Sequence, residues 1–218
     1  MTDVKAATGP RPAATPSPPL HPARTARTAM STQKTDDRKT DHSAEHAPLQ
    51  LNLEGLHAAR QDLTDGAMTP AYGPWRDDVI KLLNGALATE LVCVLRYRRH
   101  HYTADGLASP AIAEEFLVHA NEELAHADRI AQRIVQLGGE PDFNPEGLLG
   151  RGHADYDASK DLKAMIRANL VAERIAVESY RQMIAMLADK DSTTRRMLED
   201  ILADEEKHAD ELKDWLAR

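Results

Sequence analysis

The sequence predicts an all-α protein, a four-helix bundle made of two antiparallel hairpins joined by a long crossover. Three observations predict it. From residue 76 onward Ala, Leu, Glu, Arg and Asp dominate and aromatic residues make up only 4% of the chain, a composition that packs helices through aliphatic side chains. Four long segments repeat apolar residues with the helical period. The first and last pairs of segments are joined by short links, whereas residues 138–159 part the middle pair by about 22 residues, enough to run the length of a bundle.

Residues 1–48 are rich in Pro, Ala, Thr and charge without apolar periodicity, which predicts a disordered extension. Within it, Met30 offers a second start besides Met1. Residues 49–74 predict a transitional segment: LQLNLEGLHAARQDLTDGA makes a short amphipathic helix for packing or subunit contact, and TPAYGP breaks it. The bundle domain is 75–218. Its first helix, 75–103, carries Val79, Leu82, Leu83, Leu87, Leu91, Val94 and Leu95 on the apolar stripe. The second, 109–137, has Ser109 as N-cap and Pro110 at the first helical position, and stops at Gly138-Gly139. The third, 160–188, and the fourth, 192–217, are parted by DKDST, with Asp191 or Ser192 as N-cap.

Net charge is −8, and it is uneven: residues 1–50 hold seven Lys/Arg against five Asp/Glu, leaving 20 against 30 for the rest. An acidic body attracts cations and repels nucleic acid, so DNA is not the favoured partner, although the slightly basic tail touches phosphate weakly at best. One cysteine, Cys93, excludes an intrachain disulfide and a multi-thiolate metal site. Charge interrupts every apolar run and there is no apolar secretory leader, which predicts a cytoplasmic protein with no membrane span.

The two hairpins repeat one pattern. Glu90 is followed by Tyr97 and then by Glu123-Leu-Ala-His126; Glu173 is followed by Tyr180 and then by Glu205-Glu-Lys-His208. The lone glutamate precedes the pair by 33 and 32 residues, and the tyrosine by seven in both halves. On a helix, residues i and i+3 share a face, so each Glu-x-x-His offers an oxygen and a nitrogen to one small volume. Glu90 lies among Leu83, Leu87 and Val94, and Glu173 among Ile166, Leu170 and Val177, which turns both carboxylates inward. Four buried carboxylates without cations are untenable, and two divalent ions balance them. Carboxylate and imidazole without thiolate suit iron or manganese, two ions per chain. Glu90, Glu123, His126, Glu173, Glu205 and His208 are therefore the candidate metal-binding and catalytic residues.

Other residues have plainer readings. Glu122 and Asp204 either orient an imidazole or sit on a solvated face. Tyr97 and Tyr180 read as packing, His119 as a polar core or surface residue rather than a gate for iron, and Cys93 as a small hydrophobe. His100, His101 and His153 read as solvated. The acid pairs at 114–115 and 205–206, with Arg96, Arg98 and Arg99, read as exterior charge or inter-subunit salt bridges.

The stretches LLNGALATELVCVLRY, HANEELAHADRIAQRIVQLGGEP, NLVAERIAVESY and LEDILADEEKHADEL resemble bacterioferritins and the Dps-like branch of the ferritin-like proteins, over about residues 75–215. The resemblance implies a ferritin-like bundle and a ferroxidase that oxidises Fe(II) with O2 or H2O2 and stores ferric mineral in a hollow homo-oligomer. It implies the same six ligands, with Glu123 and Glu205 bridging, and Tyr97 as a nearby redox-active phenol. Bacterioferritins bind haem through a methionine directly after the first Glu of Glu-x-x-His; Leu124 stands there, so haem is not expected. Ten residues follow His208, which leaves no fifth helix and favours the 12-subunit over the 24-subunit cage. The alternatives are a non-storage di-iron or di-manganese enzyme (hydroxylase, peroxidase or catalase) and a DNA-protecting shell; rubrerythrin would need a cysteine-rich centre.

Overall fold

The computed structural model describes residues 49–106 and 108–217. The extension read as disordered, Met30 and the basic tail lie outside these residues. A short helix α1 (Leu53–Ala58) and a 3-10 turn (Pro70–Tyr72) lead into α2 (Arg76–Thr103), α3 (Ser109–Gln136), a four-residue helix α4 (Leu148–Arg151), α5 (Leu162–Leu187) and α6 (Ser192–Ala217). α2 pairs with α3 and α5 with α6, giving the two hairpins and an all-α ferritin-like four-helix bundle; there is no strand among the described residues.

Local chemistry sets the helix ends. Gly138 takes φ 80°, and Gly138 and Gly139 donate back to Val135 and Ile134, which closes α3. Asp191 accepts from the Thr194 backbone N–H at 2.9 Å and so caps α6. At α3 the expected cap is displaced by one residue: Ala108 is the cap and Ser109 is already helical, because a turn closed by Ser109 N–H on Gly106 O brings the backbone in early.

Two apolar clusters fill the bundle, one around Leu83, Leu87, Ile130, Ile134 and Leu198, the other around Tyr97, Phe116, Met165, Ile166 and Leu212. Leu95, assigned to the stripe, is 53% exposed. The crossover is strapped along α2: Asn84 bonds Glu140 O and Asp142 N, Thr89 accepts from His153 N, Arg96 donates to Asp155 O, and Arg99 to Ala158 O and Ser159 O. Gly152 passes so close to α2 that a Cβ there would lie 3.0 Å from Thr89 N.

This strap corrects two expectations. Arg96, read as exterior charge, is buried and donates to Asn169 Oδ1 at 2.7 Å. His100, read as solvated, is buried between Asp157 (3.1 Å) and Asn169 (3.0 Å). Both are enclosed by Asn169 of α5 on one side and by the crossover residues Asp155 and Asp157 on the other. Arg98, Arg99 and His101 are half-buried, bonded to Asn121, the crossover and Ala113 O, while His153 is exposed.

Candidate metal centre

Each bundle helix contributes at mid-length: Glu90 from α2, Glu123 and His126 from α3, Glu173 from α5, Glu205 and His208 from α6. All six are at most 2% exposed. They form two overlapping groups whose ligand atoms lie within 4.8 Å of one another: Glu90, Glu123, His126 and Glu205, and Glu123, Glu173, Glu205 and His208. Glu123 and Glu205 belong to both.

The imidazoles point their Nδ1 atoms inward. His126 Nδ1 lies 3.0 Å from Glu205, 3.5 Å from Glu123 and 3.7 Å from Glu90. His208 Nδ1 lies 3.5 Å from Glu123 and 3.7 Å from Glu173 and Glu205. Their Nε2 atoms point outward to Asp204 Oδ2 at 3.2 Å and Glu122 Oε2 at 2.7 Å. Glu122 and Asp204 thus orient the two rings, each from the opposite hairpin.

The inward atoms test whether metal ions fit. Glu90 Oε2, Glu123 Oε1, Glu173 Oε2, both oxygens of Glu205 and both Nδ1 atoms are buried and make no aligned hydrogen bond, meeting only one another at ion-pair distances. Buried polar groups are almost always paired, so an array of unmatched oxygens and nitrogens converging on one volume fits cations as the missing partners. Carboxylate and imidazole donors suit iron-type ions, and the two overlapping groups make a di-metal site.

Proximity shifts the acids. Burial, then Glu123, pushes Glu90 up to about 8. Burial and the charges of Glu90 and Glu173 raise Glu205 as well, whereas at Glu173 burial is outweighed by His208 and its neighbours and the group stays low. Burial lowers His126 and His208, but the surrounding carboxylates win and both end far above the ordinary histidine range. Incoming cations must therefore displace protons.

The tyrosines pack in the two apolar clusters, as expected, and their hydroxyls also reach the site. Tyr97 OH donates to Glu173 and Tyr180 OH to Glu90, so each hairpin's phenol holds the other hairpin's lone glutamate. The shared seven-residue Glu-to-Tyr spacing was the signal, since two turns place both residues on one face. His119 is fully buried, with Nδ1 3.2 Å from Tyr97 OH, Nε2 3.0 Å from Glu211 and its ring stacked 4.1 Å from His208. Its counterpart in the second hairpin is Ile201, so the halves differ here. Cys93 is buried beside Arg96 and burial pushes its thiol up.

A family model described as a ferritin-like domain matches residues 80–218. The chain belongs to the ferritin-like family. Bacterioferritin of Mycobacterium leprae is 33% identical over 141 residues, which cover 64% of this ferritin-like chain and 84% of that protein. Bacterioferritin of Desulfovibrio desulfuricans is 30% identical over 60% of this chain and 69% of its own. Among solved structures, the dodecameric thioferritin of Bacteroides fragilis superposes with a TM-score of 0.63 at 30% identity, over 65% of this chain and 86% of that one. Dps of Thermosynechococcus elongatus, 22% identical, shares the fold with a TM-score of 0.63 over 65% of this chain and 92% of its own. Within this family the cluster fits an iron-handling, ferroxidase-type centre. No described helix is long and apolar enough to cross a membrane.

Proposed function

We propose that the chain oxidises Fe(II) at the buried cluster with O2 or peroxide and stores the ferric product in a hollow homo-oligomer of about twelve copies. The observation that carries this reading is the convergence of unmatched carboxylate and imidazole atoms from all four helices. Glu90 and His126 would hold one ion and Glu173 and His208 the other, with Glu123 and Glu205 common to both ligand groups. The four carboxylates balance two divalent ions. Two Fe(II) release two electrons, which with two protons reduce O2 to peroxide or peroxide to water. Glu122 and Asp204 keep the imidazoles aimed, and Tyr97 and Tyr180 fix the terminal carboxylates.

The six are at most 2% exposed, and five grooves among the described residues are lined by none of them. That supports an ion-sized substrate over an organic one. The dodecamer of the Bacteroides fragilis relative supports the particle size. Leu124 offers no ligand atom, so haem has no part in this reading. Residues 1–48, on which a DNA-protecting role would rest, stay outside it.

The test is anaerobic Fe(II) loading followed by one oxidant pulse, with ferric iron per chain read beside particle mass. About two irons oxidised per chain in a particle of about twelve, with further iron retained, is the expected outcome. A small particle that turns over without retaining iron assigns a non-storage di-metal enzyme instead.

A further inference from the structure

A groove of about 810 Å³ lies between α2 and α5. Trp75 at the start of α2 lines it with Val79 and Leu82, facing Met183, Met186 and Leu187 from α5; Met186 is 51% exposed. Lys81 and Lys190 stand around it against one acid, Asp78, while Arg151 is already paired with Asp142, so the occupant should be apolar with some negative charge.

The chain carries a segment of that chemistry. Leu51, Leu53 and Leu56 are 78%, 74% and 48% exposed, α1 buries no residue, and Glu54 sits in its first turn. Several leucines left in water on one short segment mark an interaction face. The segment does not cover its own bundle: α1 rests on the Pro70–Tyr72 turn, which Tyr72 ties to Asp191.

We propose that the 51–56 arm of one copy docks in the α2/α5 groove of a neighbouring copy. The leucines cover the apolar floor, with Glu54 near the cationic rim. This rests on the reading of the chain as an assembling subunit.

The test mixes two differently tagged full-length chains, one carrying Leu53→Cys and the other Met186→Cys, and oxidises them mildly. Both substitutions are at exposed positions, and the natural Cys93 is buried. A disulfide needs Cβ atoms within about 4.5 Å, so a covalent pair carrying both tags is the expected result. Absence of that pair in a particle of unchanged mass overturns the docking while leaving the cage reading intact. Closure only within one chain, when both cysteines are on the same copy, also overturns it. A wild-type chain that is monomeric by light scattering fails the cage reading itself, and the docking with it. As a second variant, Leu53→Asp with Leu56→Asp raises the concentration at which the particle dissociates by about tenfold or more, with metal bound per chain unchanged. An unchanged dissociation point counts against the arm.

Discussion

Two buried charge clusters in this molecule solve the same problem in opposite ways. At one end of the bundle, Asp191 accepts from Arg133 Nη2 at 3.0 Å through each oxygen, from Thr194 N–H at 2.9 Å and from Tyr72 OH at 2.5 Å. Arg133 spends its other N–H groups on Thr194 Oγ1 and Gln136. At mid-bundle, the six residues of the candidate metal centre leave seven buried atoms without an aligned hydrogen bond. Burial alone therefore does not mark a functional site. The satisfied cluster holds helices together; the unsatisfied one is shaped around something the chain does not supply.

Mutations should separate the two. Arg133→Ala strands the buried Asp191 carboxylate and should cost about 3–5 kcal/mol in urea unfolding of the metal-free protein. A loss under 1 kcal/mol would erase the contrast. Glu123→Ala removes a carboxylate common to both ligand groups; single-turnover Fe(II) oxidation should slow by about 100-fold or more. Oxidation at the wild-type rate would sink the assignment of the centre. Asp204→Ala and Glu122→Ala leave the ligands in place but release His126 and His208, and should weaken divalent-ion binding by about 10-fold each in competition titrations.

The smallest effect is on pH dependence. Burial raises Asp191, but its hydrogen bonds from Thr194, Tyr72 and Arg133 outweigh that and hold the carboxyl below its ordinary value. The stability it contributes is present above the unfolded value of about 3.9 and is lost as pH falls through the lower folded value. Urea midpoints of wild type and Asp191→Asn should thus differ at neutral pH and converge in acid. Parallel curves would show that Asp191 does not set this dependence.

The sequence makes the helices and the ligand set legible because both are periodic. Val79, Leu83 and Leu87 recur on one face, and the doubled Glu-x-x-His with its preceding glutamate places six residues together without knowledge of packing angles. What it hides is non-local. Arg96 and His100 look like surface charge until the crossover lies over them, and nothing in residues 138–159 announces where that strap lands. Asp191 reads as a helix cap, and it is one, but its pairing with Arg133 and Tyr72 spans 58 and 119 positions. The grips of Tyr97 and Tyr180 were half legible: their spacing shows that they share a face with the glutamates, while their crossing to the opposite hairpin is a fact of three dimensions.

That crossing has a consequence for the molecule's ancestry and engineering. A single hairpin contains a glutamate and a tyrosine that do not serve each other, so half of this chain has no complete centre of its own. Two such halves do, whether encoded in one reading frame or two. On the proposed reading, a version severed in the crossover would rejoin through the ions it binds, and the metal would be a clasp as well as a reactant.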